Sequence, residues 1–344
     1  MRQLASIQKI VDIQPIPEAD KIECATVLGW KCVVKKGEFK VGDLVVYIEP
    51  DSMLPFNPWT GELLLDKPLR LKTVRMKKQI SQGLVLSTNL PQLANKPLTE
   101  GTDITDTLGI KKYEPPPLPA ALAGIARGAF PSFLVKTDET RIQAYPEVLV
   151  RHVGTLFVVT EKLDGSSTSY YWNDILGDGN ATFGVCSRNL DLEPGHSAQW
   201  TVAIELGIRE ALIKEQRDRG RYLAIQGELV GPNIKSNKLG LTKVTCYAFN
   251  AYDIKQRKFL NHQEVVDWCG QNNIPHVPVI NTNFSLQGHG VDSLVAYVTR
   301  KSLLNSQVWI EGGVFRPLVE QHDPDLGRLS FKVINPEFLL KYGE

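Results

Sequence analysis

The sequence predicts two domains: an all-β amino-terminal barrel or sandwich, then a larger α+β domain. Three observations support this. Short apolar runs and turn residues alternate up to about residue 110 at the spacing of a small all-β domain. Prolines cluster in Tyr113-Glu114-Pro115-Pro116-Pro117-Leu118-Pro119, where neither a strand nor a helix interior can continue. Beyond Phe133, strand-like runs are interrupted by helix-like segments at irregular intervals, which favours α+β over a regular βαβ array.

In the first domain the expected strands include 4–13, 23–34, 43–48 and 83–87, punctuated by Pro15, Gly37, Gly42, Asp51 and Gly83. Lys67, Arg70, Lys72, Arg75, Lys77 and Lys78 follow one another with no acid in between. Such a run fits a solvated edge strand whose lysines discourage edge pairing. It equally fits a phosphate-facing stripe of an oligonucleotide-binding barrel. The linker spans 113–130, which gives expected domains 1–112 and 131–344. In the second domain, strands are expected at 154–162, 181–187, 222–230, 244–254, 308–315 and 327–334. Helices are expected near 198–218, 262–271 and 292–305, the last capped by Asp292-Ser293.

The 344 residues are 42% hydrophobic and 22% charged, as in a soluble globular protein. With a net charge of +1, any polyanion surface must be local. No stretch approaches the ~20 apolar residues that span a bilayer, and the amino terminus shows no apolar signal segment. Five scattered cysteines form no Cys-x-x-Cys pair, which points to the cytoplasm or another reducing compartment and away from a disulfide framework or zinc site. The six histidines show no metal-ligand spacing and read as structural.

Lys162-Leu163-Asp164-Gly165 closes the apolar run 156–160. A strand that delivers a lysine into a tight turn suits an amine nucleophile attacking phosphorus, the opening step of nucleotidyl transfer. The same residues also fit a surface hairpin with a solvated lysine. Alternation along 222–229 puts Gln226 and Glu228 on one face and Leu223, Ile225 and Leu229 on the other. Gly227 there leaves room for a ligand, although Glu228 also fits an ordinary half-exposed strand acid.

Glu311 ends an apolar run before Gly312 and Gly313. A carboxylate so placed either closes a strand at the solvent edge or needs a cation or a metal-bound water. Two such acids would hold Mg²⁺ or Mn²⁺ through water, since hard ions prefer oxygen and keep much of their hydration.

Alternation over 328–334 puts Arg328, Ser330 and Lys332 on a polar face, which is either simply exposed or suited to an α-phosphate. A nearby ammonium would also lower the pKa of the nucleophilic lysine from its reference of about 10.4. Arg141 and Arg188 fit phosphate or RNA clamps and also fit surface arginines. Phe249, on an apolar strand, fits either the core or a purine-stacking position.

Taken in order, these segments resemble a known family. Lys-x-Asp-Gly at 162–165, Ser-Arg-Asn at 187–189, Gly-Glu at 227–228, Tyr-Ala-Phe at 247–249, Glu-Gly-Gly-Val at 311–314 and Phe-Lys at 331–332 resemble the covalent nucleotidyltransferases. Within them the chain is most similar to ATP-dependent RNA ligases, a likeness shared by the segment 136–143. The amino-terminal half resembles the OB-type domain that precedes the transferase domain in RNA ligases of the Deinococcus and Naegleria type. The resemblance covers nearly the whole chain. It implies an N-terminal all-β OB-like barrel followed by an α+β nucleotidyltransferase (ATP-grasp-like ligase) domain.

It further implies that Lys162 takes the AMP, Glu161 helps position the nucleotide and Phe249 stacks on adenine. Arg141, Arg188 and Lys332 would contact phosphates, while Asp164, Glu228 and Glu311 would hold hydrated Mg²⁺ or Mn²⁺. ATP would be the AMP donor and RNA or an RNA-containing duplex the partner of a monomeric enzyme with no membrane association. The implied reaction seals 3′-hydroxyl and 5′-phosphate ends, with nicks in duplexes carrying RNA on the 3′-hydroxyl side preferred. One departure is visible: the last motif often reads Lys-x-Lys, where this chain has Ser330-Phe331-Lys332, and Arg328 is the candidate substitute.

Two competing readings remain at this level. A DNA ligase or capping guanylyltransferase places its OB domain after the transferase domain, whereas only twelve residues follow Lys332 here. A non-catalytic RNA-binding protein with a degenerate transferase domain has no need of Lys162, Asp164, Glu228, Glu311 and Lys332 together.

Overall fold

A computed structural model of the chain describes residues 3–56, 69–95, 97–113, 126–174, 179 and 181–342. Most of the expected linker, and Lys67 of the basic run, lie outside the described residues. The chain forms two compact units. One comprises Met1–Pro116, Ile142–Glu147 and Pro336–Glu344, and the other Pro117–Arg141 and Val148–Asn335. The first unit thus draws in two later pieces of chain besides the expected first domain.

The first unit contains β1 (Ala5–Pro15), β2 (Ile22–Val27), β3 (Trp30–Lys35), β4 (Leu44–Ile48), β5 (Ser52–Leu54), β6 (Leu69–Arg70), β7 (Val74–Met76), β8 (Gln79–Ser81), β9 (Leu84–Ser87) and β10 (Lys111–Lys112). Five of them form an antiparallel sheet in the order β3-β2-β1-β4-β9. β1 changes partner at an irregularity between Ile10 and Asp12: residues before it pair with β4, those after it with β2. Such a bulge bends the strand and lets the sheet bury residues on both sides. One cluster gathers Ile10, Val27, Trp30, Val45 and Tyr47; another gathers Ile7, Val46, Ile48, Leu54 and Ile110.

The single run expected at 23–34 is instead the β2–β3 hairpin, broken at Leu28, whose φ of 52° ends the strand. The basic run is not an unbroken stripe either. Arg70 lies 2.7 Å from Asp51 and over the Tyr113 ring, and Arg75 lies 2.5 Å from Glu337. Lys77 and Lys78 form the β7–β8 turn, both with positive φ.

The second unit contains β11 (Ala126–Ala129), β12 (Thr140–Arg141), α1 (Val148–Arg151), β13 (Leu156–Lys162), β14 (Ser166–Asn173), β15 (Thr182–Cys186), β16 (Leu190–Leu192), α2 (Ala198–Glu205), α3 (Ile208–Arg219), β17 (Leu223–Val230), β18 (Thr245–Asp253) and β19 (Lys258–Phe259). It continues with α4 (His262–Gln271), β20 (Val279–Ser285), α5 (Val291–Val298), β21 (Gly312–Pro317), β22 (His322–Asp323), β23 (Gly327–Arg328) and β24 (Phe331–Ile334). The last helix, α6 (Pro336–Tyr342), falls in the first unit.

Two sheets make up the second unit. A seven-stranded antiparallel sheet runs β11-β16-β15-β14-β17-β18-β19, and α2, α3 and α4 bury Val202, Leu212 and Trp268 against its Tyr170, Ile225 and Leu229. A five-stranded sheet runs β12-β24-β21-β13-β20, parallel only between β12 and β24. Phe157, Phe284, Phe315 and Phe331 pack together on it.

Several expected elements are revised. The helix at 198–218 is two helices, divided where Gly207 takes φ 61°. The helix expected through 305 stops at Val298. Its cap is Gly290, whose N–H donates to Ser293 Oγ at 3.0 Å, in place of Asp292-Ser293. Helix cannot continue beyond because Ser302 Oγ and Leu303 N both donate to the buried Glu161 carboxylate, which fixes that stretch as a loop. The strand expected from 308 begins only at Gly312; the apolar run before it belongs to the same loop. β14 and β20 were not anticipated. Ser166-Ser167-Thr168-Ser169 lacks a hydrophobic alternation, yet β14 is central and its Thr168 hydroxyl is satisfied by the Cys186 carbonyl.

Candidate active site

Lys162 is the last residue of β13 in the five-stranded sheet, and Ser166 is the first of β14 in the seven-stranded sheet. Leu163-Asp164-Gly165 is therefore the crossover between two sheets. This rules out the surface-hairpin reading. A Cβ at Gly165 would collide with the Leu229 carbonyl, so only glycine lets the crossover lie this close to β17. That approach puts the Gly165 N–H 3.0 Å from Glu228 Oε1. Gly227, expected to make room for a ligand, instead lies against Cys246 and Tyr247 of β18 at a break in register.

Glu311 is delivered from the other side. Its carbonyl accepts from Asn335 N, the neighbouring Ile310 carbonyl accepts from Asn335 Nδ2, and Gly312 lies too close to the Val333 carbonyl for any side chain. Glu311 Oε2 then accepts from Lys162 Nζ at 2.5 Å, with the two side chains 25% (lysine) and 14% (glutamate) exposed. The charged group in contact with the Lys162 amine is the Glu311 carboxylate. This ion pair must open before the Lys162 amine can attack anything.

Glu228 is pushed up to about 7, first by burial and then by the Glu311 charge, against the pull of Lys162, Lys235 and the Gly165 N–H. Asp164 goes the other way. Burial would raise it, but ion pairs with Lys235 and with Lys238, the latter at 2.5 Å, hold it below the usual carboxylate range. Among the described residues, no group of three or more His, Cys, Asp or Glu side chains could hold a metal ion. Glu228 and Glu311 nevertheless offer what a hydrated hard cation wants: two electrostatically coupled carboxylates beside the reacting amine.

Cross-strand register places the phosphate candidates. Thr160 lies opposite Val314, Val314 opposite Lys332, and Lys332 opposite Arg141. Since partners across a ladder share a face, Lys162, Lys332 and Arg141 lie on the same face of the five-stranded sheet. Phe249 packs with Tyr247 on Leu163, Val230 and Val277, beside the crossover, and the Arg316 guanidinium lies 5.6 Å from its ring centre. Glu161 is buried, and burial raises its pKa against the bonds from Ser302 and Leu303.

Two further candidates have acidic partners. Arg188 forms an exposed ion pair with Asp138 at 2.7 Å. Arg328 does not stand in for the missing lysine at Ser330: Glu320 and Asn250 accept from its guanidinium, which also lies 3.7 Å from the Phe259 ring centre. Sequence reasoning missed Lys235, Lys238 and Arg316. The first two lie between the strands expected at 222–230 and 244–254, and Arg316 falls one residue beyond the strand expected at 308–315.

Comparison with known proteins agrees with this geometry. An OB-fold domain profile matches residues 4–88, and the RNA ligase family profile matches residues 155–334. No curated protein matches the chain. Among solved structures, a Naegleria gruberi RNA ligase variant without ligand is 36% identical, with a TM-score of 0.85 over 99% of this chain and 98% of that one. The Naegleria gruberi enzyme with pyrophosphate matches at 36% identity and a TM-score of 0.85, over 100% of this chain and 99% of that one. A further Naegleria gruberi variant with ATP and Mn matches at 36% identity and 0.85, over all of both chains. On the family profile, the full-length structural likeness and the sheet crossover that carries Lys162, the chain belongs to the ATP-dependent RNA ligases, with an OB-fold domain ahead of the nucleotidyltransferase domain.

Proposed function

We propose that this ligase joins an RNA 3′-hydroxyl to a 5′-phosphate through a lysyl-AMP and an adenylylated 5′ end. The observation that carries the reading is the Lys162–Glu311 ion pair, with Glu228 coupled to both, at the crossover between the sheets. The Lys162 amine attacks the α-phosphorus of ATP; the N–P bond forms and the bond to pyrophosphate breaks. AMP then passes to the donor 5′-phosphate, freeing Lys162. The RNA 3′-hydroxyl attacks that phosphate and AMP leaves.

Lys332 and Arg141 neutralise the α-phosphate from the face they share with Lys162, and Phe249 stacks on adenine. Glu161 acts through the loop it pins, which runs on to Glu311. Arg188 serves as an outer phosphate clamp. Glu228 and Glu311, joined by Asp164, hold hydrated Mg²⁺ or Mn²⁺, which when bound offsets charge on the transferred phosphoryl group. The Naegleria gruberi structures with ATP or AMP and Mn support that choice of nucleotide and metal. Residues 1–112 act as the nucleic-acid-binding domain and 131–344 as the transferase, with nicked duplexes carrying an RNA 3′-hydroxyl as preferred substrate.

The test is incubation with α-labelled ATP or GTP and a divalent metal, then denaturing electrophoresis of wild type and Lys162→Ala. We expect an acid-labile label from ATP on wild type alone. Label from GTP would move the reading to capping. No label, in protein first stripped of AMP with pyrophosphate, would leave a non-catalytic binding protein.

A further inference from the structure

The basic run of the first unit contains a feature that the proposed mechanism does not use. From Lys67 to Thr99 the chain carries seven Lys or Arg residues and no Asp or Glu. Within this stretch β7 and β8 form a two-stranded ribbon of their own, outside the five-stranded sheet. The base of the ribbon is fixed. Ser81 Oγ accepts from Val33 N at 2.9 Å, Gln82 N donates to the Lys31 carbonyl at 2.8 Å, and Gln82 Nε2 donates to Thr73 Oγ1 at 3.3 Å.

The far end is open to solvent. Ladder partners share a face, so Val74, Met76 and Gln79 lie on one side of the ribbon and Arg75 and Ile80 on the other. Arg75 is engaged by Glu337 at 2.5 Å, whereas Val74 and Met76 are 40% and 45% exposed. The turn is Lys77-Lys78, with φ of 48° and 68°, a backbone that suits Asn-Gly and strains lysine. Both lysines are exposed, and among the described residues neither has an ion pair or a hydrogen bond. A strained turn thus displays two ammonium groups beside two apolar side chains, in a stretch without an acid. That surface complements a polyanion that also presents apolar faces. RNA does so, because its phosphates border ribose.

We propose that the β7–β8 ribbon docks on the minor groove of an A-form, RNA-containing duplex. Lys77 and Lys78 meet phosphates, and Val74 and Met76 pack on ribose. This rests on the ligase reading, which supplies such a duplex as partner. The groove follows from shape. An A-form major groove is too deep and narrow for side chains to read, whereas its minor groove is wide, shallow and lined by ribose. The B-form minor groove, about 6 Å wide, does not admit a two-stranded ribbon.

The test measures affinity for an unbroken RNA duplex and for a DNA duplex of the same sequence, over a salt series and without ATP. Wild type is compared with three double variants: Lys77→Asn with Lys78→Gly, Lys77→Arg with Lys78→Arg, and Val74→Thr with Met76→Gln. The Asn-Gly variant relaxes the turn, so it keeps the fold even if the apolar variant does not.

The Asn-Gly variant should bind RNA duplex about tenfold more weakly, with the slope of log affinity against log salt reduced by about 2. The arginine variant, which keeps the charges, should stay within about threefold of wild type at an unchanged slope. The apolar variant should lose about threefold or more on RNA with its slope unchanged, and should match wild type on DNA. Unchanged RNA affinity in the Asn-Gly variant or in a folded apolar variant overturns the proposal. So does an apolar variant that loses as much on DNA, an arginine variant that falls as far as Asn-Gly, or a wild type that binds neither duplex. The ligase reading fails separately, through a wild type that forms no lysyl-AMP, and duplex binding still decides the ribbon.

Discussion

Glu228 ties the charge state of the site to pH. Its carboxyl sits near 7 when folded, whereas an unfolded glutamate titrates near about 4.3. Between those values the folded chain binds more protons, so stability falls as pH rises from about 4 to about 7 and is constant above. Glu228→Gln removes that loss. The variant should match wild type near pH 4 and exceed it by roughly 1–3 kcal/mol at pH 8, read by denaturant unfolding at both values. It should also lose adenylylation, because only the ionised carboxylate can hold a hydrated cation. For the same reason wild-type lysyl-AMP formation should rise through pH 7, and a flat profile between pH 6 and 8 would contradict that role. At this scale the sequence marked Lys162, Asp164, Glu228 and Glu311 by their motifs. Which of them touch was invisible: Lys162 and Glu311 are 149 residues apart, and Asp164 is bound by lysines from a loop 71 and 74 residues on.

The loop between α5 and β21 is organised around one buried carboxylate. Glu161 takes the Ser302 hydroxyl at 2.6 Å and the Leu303 N–H at 2.9 Å, and the same Ser302 oxygen accepts from Leu304 N. Ser302→Ala leaves a buried carboxylate short of a donor and should cost about 1–3 kcal/mol by denaturant unfolding. Because this loop runs on to Glu311, adenylylation should fall further than stability alone explains at a temperature where the variant is folded.

In the first unit, Lys77 and Lys78 occupy a hairpin turn that prefers Asn and Gly. Lys77→Asn with Lys78→Gly should raise stability by about 1 kcal/mol. If the turn grips RNA, the same change lowers nick sealing and spares adenylylation; unchanged sealing would remove the turn from the RNA-binding surface. It is a cleaner test of the basic run than Arg70 or Arg75, which are engaged by Asp51 and Glu337. Elements with apolar alternation, such as β13, β17 and β18, were legible in the sequence. The hydroxyl-rich β14 was not, and helix periodicity after Val298 was overridden by a buried charge.

At the scale of the whole molecule, the first unit holds more than the chain ahead of the linker. Ile142–Glu147 and Pro336–Glu344 belong to the first unit; Gly29 N donates to the Gln143 carbonyl at 3.0 Å and Arg75 pairs with Glu337. A fragment of residues 1–112 should therefore melt well below the first unit of the intact chain, or without a cooperative transition, by circular dichroism. A fragment as stable as the intact chain would show that the later pieces contribute little.

By itself the sequence determined the order of two folds, the reaction class and the residues proposed to carry it. Those are properties of local pattern: turn chemistry, strand alternation and the spacing of short motifs. Only the tertiary structure decided that the Lys162 turn is a sheet crossover, that Glu311 sits beside the nucleophile, and that Arg328 is engaged by Glu320. It also brought Lys235 and Lys238 to Asp164. Most of these depend on residues far apart in the chain meeting where they are partly buried, so that desolvation makes a charge choose its partner by distance, and no local pattern records that distance.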